Sequence, residues 1–120
     1  MTDTRRNPMN VAMKECCNCC SQTRALCLQT MQSCLKKGGK FADAKLCMML
    51  MECAQTCQLL ADLCSTGSGG AAKVAEACAK LCDECARCCD AMSEPELSKC
   101  AESLRRCAQA CSQVCAKIVA

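Results

Sequence analysis

Ala71-Ala72-Lys73-Val74-Ala75-Glu76-Ala77-Cys78-Ala79-Lys80-Leu81-Cys82-Asp83-Glu84-Cys85-Ala86-Arg87-Cys88-Cys89-Asp90 is the stretch that decides the fold. It is rich in strong helix formers, holds no glycine or proline, and lacks the two-residue alternation of a strand. At about 100° per residue, Cys78, Cys82, Cys85 and Cys89 fall on one face, flanked by Val74 and Met92. Lys80, Asp83, Glu84, Arg87 and Asp90 fall away from that face. The segment reads as an amphipathic helix whose inward stripe is made of thiols.

The rest of the chain repeats this pattern between three breaks. Lys36-Lys37-Gly38-Gly39-Lys40 is one loop and Ser65-Thr66-Gly67-Ser68-Gly69-Gly70 a second. Ser93-Glu94-Pro95-Glu96 is the third, with Ser93 or Ser98 expected to cap and Pro95 suited to a first helical position. The spacing predicts helices over roughly 11–36, 41–65, 71–92 and 95–118, each some 33–40 Å long, after a flexible N-terminus over 1–10. Four such helices with short connections pack antiparallel, so 1–120 is expected to be a single all-α domain, an up-down-up-down four-helix bundle.

Each helix carries a sulfur stripe. The first aligns Cys16, Cys20, Cys27 and Cys34 with Met9, Met13 and Met31; the second aligns Cys53, Cys57 and Cys64 with Leu46, Leu50 and Leu60. The fourth aligns Cys100, Cys107, Cys111 and Cys115 with Leu104 and Ile118, leaving Glu102, Arg105, Arg106 and Gln109 outside. Cys17, Cys19, Cys47 and Cys88 lie about 60–120° off their stripes, where a flanking role is as reasonable as a central one.

Composition narrows the chemistry. The 120 residues include 19 Cys and 8 Met, one aromatic (Phe41), and no His, Trp or Tyr. Without His no Cys-His nucleophile pair can be built. Without aromatics, and at a net charge of only +3, there is neither a stacking platform nor a basic footprint for nucleic acid. The longest apolar uncharged run, Leu46 to Met51, is far shorter than the roughly 20 residues that span a bilayer. Arg5-Arg6 resembles a twin-arginine start, but polar residues follow it, so the chain as given is expected to stay in the cytoplasm.

A disulfide scaffold would need an oxidising compartment and a loop-rich chain, whereas this one has 5 Gly and 2 Pro. Packing alone does not explain the stripes either, because aliphatic side chains fill a core better and do not oxidise. Metal binding by reduced thiols remains. A thiol oxidoreductase is disfavoured, since its C-x-x-C pair should join a strand to a helix, and we expect a binding protein and not an enzyme.

Soft thiolates select Cu(I), Zn(II) or iron–sulfur clusters. Cysteines recur four apart at Cys16/Cys20, Cys53/Cys57, Cys78/Cys82, Cys85/Cys89, Cys107/Cys111 and Cys111/Cys115. Such pairs project to one side about 5–6 Å apart, which suits an ion content with two ligands, as Cu(I) often is. Zinc and iron–sulfur ligands usually sit in knuckles or loops, whereas these C-x-x-C pairs lie inside helices. One Cu(I) per bridging thiolate also leaves a loaded core near neutral, while divalent four-sulfur sites leave −2 each in a dry interior. We therefore expect many Cu(I) ions per chain on the core thiolates, with a zinc or general metallothionein-like buffer as the alternative. Met48, Met51 and Met92 are expected near one end of the bundle, that of the first and third loops, where thioethers admit metal; gap filling is the competing role.

Leu46-Cys47-Met48-Met49-Leu50-Met51-Glu52-Cys53-Ala54-Gln55-Thr56-Cys57 resembles the C-x5-C-A-x-x-C pattern of the bacterial copper storage proteins. Ala77-Cys78-Ala79-Lys80-Leu81-Cys82-Asp83-Glu84-Cys85 and Cys107-Ala108-Gln109-Ala110-Cys111 extend the resemblance, which covers nearly the whole chain. It implies a Cys-lined bundle that stores or sequesters copper, similar to the cytosolic branch, and often a homo-tetramer. The sequence departs from that family at Ala91-Met92-Ser93-Glu94-Pro95, where a His is usual, and at Ser103, where a cysteine is common.

Overall fold

Local signals set most of the helix boundaries. The computed structural model describes residues 8–119, with side chains from residue 10 to residue 116. Four helices follow one another: α1 (Pro8–Lys37), α2 (Ala44–Ser65), α3 (Ala71–Asp90) and α4 (Pro95–Val119), with a 3-10 turn over Gly39–Ala42. No strand occurs among the described residues.

α1 begins earlier than the spacing indicates, so residues 8–10 of the expected flexible segment are helical. Pro8 fits this start because its φ is preset and its missing N–H needs no partner. The Arg5-Arg6 pair and the side chains of Met9 and Ile118 lie outside the described residues. At the other end Gly38 takes φ 70° and donates its N–H to Cys34 O at 3.1 Å, a left-handed stop that glycine adopts at no steric cost.

α2 starts three residues later than expected, because Asp43 is its cap: the carboxylate accepts from Leu46 N at 2.9 Å. The residues ahead of it wind into the 3-10 turn, placing the Phe41 ring near the ammonium groups of Lys37 and Lys40 at 5.4 and 5.2 Å. α3 stops at Asp90, not at 92, since Ser93 takes φ 50° and Pro95 disfavours helical backbone at Glu94. The α4 cap is neither Ser93 nor Ser98. Glu94 serves instead, accepting from Leu97 N at 3.1 Å, and Pro95 is the first helical residue. Lys37 of α1 pairs with Glu94 at 2.8 Å and Glu96 at 3.5 Å, fastening two helix ends together.

The helices form a ring in which α1 packs on α2 and α4, and α3 packs on α2 and α4, while the backbones of the diagonal pairs stay apart. The body is 20 Å across both short axes. Leu50, Leu60, Leu97, Leu104 and Val114 are fully buried, each contributing about 1.5–3 kcal/mol of burial. Ala54, Ala86, Ala101 and Ala108 each follow a core cysteine and are buried too, so neighbouring helices approach closely. Across the open diagonal, thiols meet thiols.

Candidate metal centre

All nineteen cysteines are free thiols. Cys16, Cys20, Cys27, Cys34, Cys53, Cys57, Cys64, Cys78, Cys82, Cys85, Cys89, Cys100, Cys107 and Cys111 are buried. Cys17, Cys19, Cys47 and Cys88, the four off the stripes, are half-buried, as is Cys115 near the end of α4.

The buried sulfurs form a continuous thread along the bundle. At the end bearing the α2–α3 loop, Cys64 meets Cys16, and Cys16 lies 3.9 Å from both Cys20 and Cys111. Cys20 lies 3.6 Å from Cys107, Cys107 3.7 Å from Cys57, Cys57 3.8 Å from Cys78, and Cys78 3.9 Å from Cys82. Onward, Cys53 pairs with Cys82 and Cys85, Cys85 with Cys89, and Cys100 with Cys27 and Cys89. These spacings approach the roughly 3.8–4.5 Å across which two thiolates, bonded at about 2.2–2.3 Å, hold one ion.

Helical spacing anticipated part of this. Cys16/Cys20 and Cys78/Cys82 are contacts along one helix, and Cys107 also bonds Cys111. Cys53 and Cys57 turn instead to α3 and α4, with Cys53 Sγ donating to Leu81 O at 3.4 Å. Two groups are tightest: Cys20, Cys57, Cys78 and Cys107, and then Cys16, Cys20 and Cys111, the sulfurs of each lying within 4.8 Å of one another.

Within the thread some sulfurs accept while their neighbours donate. Hydrogen bonding with the Cys111 and Cys20 thiols lowers Cys16 to about 4, and hydrogen bonding with Cys82 and Cys85 lowers Cys53 to about 5. Cys27 and Cys89, with the Thr30 hydroxyl, lower Cys100 to about 4. Cys107 is also lowered, chiefly by Cys111 and Cys20. The donors are held protonated: Cys20 and Cys82 are raised chiefly by Cys107, Cys27 by Cys100, and Cys85 by Cys53. Burial pushes Cys64 up to about 12. A metal ion therefore meets ready acceptors surrounded by thiols that ionise as it binds.

Hydroxyls interrupt the thiol lining. Thr23 and Ser103 bond at 2.8 Å in the core, and buried Thr30 lies beside Cys100 without a hydrogen bond of ordinary geometry. Sequence reasoning passed over both threonines, although Thr23 and Thr30 follow Cys16 at seven-residue spacing on the same stripe.

The peripheral sulfurs are dispersed. Cys17 Sγ lies 3.2 Å from Ser65 Oγ, and Cys115 Sγ donates to Ala72 O at 3.5 Å. Cys19 lines a groove between α1 and α4 with Glu15 and Arg106. Cys34 lies beyond the thread near Cys47 and is raised by burial. Met48 and Met51, expected together near one mouth, line different grooves, between α2 and α3 and between α1 and α2. Leu50 takes the inward position, so the residues on its two sides turn to opposite neighbours. Met48 is exposed and Met92 half-buried. Met49 Sδ does meet a thiol, accepting from Cys88 Sγ at 3.6 Å.

No helix among the described residues is long and apolar enough to cross a membrane. No curated protein matches the chain. Its fold is similar to the crystal structure of a protein from Nitrosospira multiformis, with a TM-score of 0.82 and 30% sequence identity over 88% of this chain and 95% of that one. The family model described as copper storage protein matches residues 6–116. A bundle lined by free thiols, matched by that model over nearly its whole length, belongs to the copper storage protein family.

Proposed function

We propose that the protein stores or sequesters Cu(I) in the cytosol, taking many ions per chain on its core cysteines, and that it is a binding protein and not an enzyme. The observation that carries this reading is the continuity of the thread: every sulfur from Cys64 to Cys27 has a neighbouring sulfur to share an ion with. Each Cu(I) replaces thiol protons, which leave to solvent, and a thiolate bridging two ions keeps the charge of the dry core near neutral. Membership of the copper storage family and the close cysteine groups support copper as the cargo. The cytosolic location rests on the sequence alone. A homo-tetramer rests on the family resemblance, with Val11, Leu35 and Leu59 exposed as apolar surface for it.

Metal competition tests this reading. Reduced protein incubated anaerobically with excess Zn(II) and Cu(I) should retain copper well above zinc after desalting. Retention of zinc in preference to copper would transfer the function to a divalent metal buffer.

A further inference from the structure

Each helix sends one fully buried sulfur to a common point: Cys20 from α1, Cys57 from α2, Cys78 from α3 and Cys107 from α4. All four Sγ atoms lie within 4.8 Å of one another, with contacts of 3.6 Å (Cys20–Cys107), 3.7 Å (Cys57–Cys107) and 3.8 Å (Cys57–Cys78). A tetrahedral centre with metal–sulfur bonds of about 2.3 Å has edges of about 3.8 Å. Three of the six edges already stand near that spacing and the other three lie within 4.8 Å, on the middle turns of four packed helices. Convergence from four helices thus supplies what the short C-x-x-C spacings inside single helices cannot.

We propose that this quartet is a discrete tetrahedral site for one divalent thiophilic ion of the Zn(II) class, held by the copper-free protein. Binding displaces to solvent the protons that remain on the four thiols and forms four metal–sulfur bonds, leaving a net charge of −2 on the centre. Burying that charge is unfavourable unless donors surround it. Two donors are present: the Cys82 thiol, whose Sγ lies 3.9 Å from Cys78 Sγ, and the Cys111 thiol, which hydrogen-bonds Cys107. Thiol hydrogens from these two offset the thiolate charge, as outer ligands do in other metal sites. The other close group among the described residues, Cys16, Cys20 and Cys111, has three sulfurs and shares Cys20, so one ion fills the site. Four Cu(I) ions bound on the same thiolates release the divalent ion and bring the site to neutrality. The proposal stands on quartet geometry and does not require the storage reading.

The experiment is an anaerobic titration of reduced, copper-free protein with Co(II), followed by Zn(II). Thiolate-to-cobalt charge transfer and intense tetrahedral visible bands should saturate at about one equivalent per chain and vanish as zinc replaces cobalt. Cys57→Ser should abolish these bands. Cys27→Ser, equally buried but outside the quartet, should keep them, and circular dichroism of both variants checks that they fold. X-ray absorption of the zinc-loaded unaltered chain should show four sulfur neighbours at about 2.3 Å, a readout independent of any variant. Weak octahedral bands, saturation at several equivalents, or equal loss in both variants would overturn the proposal. A Cu(I) titration of the same preparation separates the two readings: low copper capacity with an intact cobalt signal refutes storage alone, and the reverse refutes the quartet alone.

Discussion

Raising the pH of the reduced, copper-free protein should unfold it, because most of its core thiols hold their protons more tightly than an exposed thiol does. Cys20, Cys27, Cys57, Cys82, Cys85, Cys89 and Cys111 are all buried and raised. A group with a raised folded-state pKa contributes stability that is complete below its unfolded pKa and is lost as pH rises above it. The unfolded value is about 8.5 for a thiol, and each retained proton costs about 1.4 kcal/mol per pH unit beyond that point. Three retained protons already cost about 4 kcal/mol per unit, against a typical total stability of about 5–15 kcal/mol. Cys16, Cys53 and Cys100, lowered to about 4–5, act in the opposite sense and only below about 8.5, so the alkaline limb is untouched by them. The assay is anaerobic urea denaturation followed by far-ultraviolet circular dichroism at intervals from about pH 8 to 10. A midpoint that falls steeply over this range, and much less in copper-loaded protein whose thiol protons have gone, is the expected result. A flat or rising midpoint in the copper-free protein would refute the reasoning.

Other perturbations are simpler to state. Because protonated thiols pack as small hydrophobes, the copper-free chain at neutral pH should show full helical circular dichroism, with little gain on metal addition; helix that appears only with copper would mean that metal drives folding. Ser103→Cys should place a thiol within the Thr23 layer, raise copper capacity by about one ion per chain and leave the fold intact, as read by bound copper after desalting. Ser103→Ala should destabilise the copper-free protein by about 1–2 kcal/mol in chemical denaturation, since Thr23 loses its 2.8 Å partner. Asp43→Ala removes the carboxylate that caps α2 and should cost about 1 kcal/mol in the same assay while leaving copper capacity unchanged.

The bundle was legible because one signal, thiols recurring at helical spacing opposite Lys80, Asp83 and Arg87, fixes helix type and inward face together. The same angle separated Cys17, Cys19, Cys47 and Cys88 from the buried set. Cys115 shares the stripe yet is half-buried, near the end of α4. Helix ends were less legible. Serines at 93 and 98 looked like caps, but the carboxylates of Asp43 and Glu94 stood where the first free N–H groups of α2 and α4 point.

The convergence of Cys20, Cys57, Cys78 and Cys107 could not be read from spacing at all. Positions on one helix report neighbours along that helix, whereas this group depends on the axial register of four helices against one another. For the same reason Met49 was passed over in favour of Met48 and Met51. Which side of Leu50 faces α3 decides that Met49 reaches Cys88.

Copper bound per chain at saturation is the quantity on which the account rests. Fully reduced protein should be titrated anaerobically with Cu(I), removing loosely held ions with a competing chelator before copper is measured. Sharing ions along the thread predicts more than about ten Cu(I) per chain, a number comparable to its buried thiols. Saturation at one or two ions would contradict storage and leave the thiol-lined core to be explained by some other chemistry.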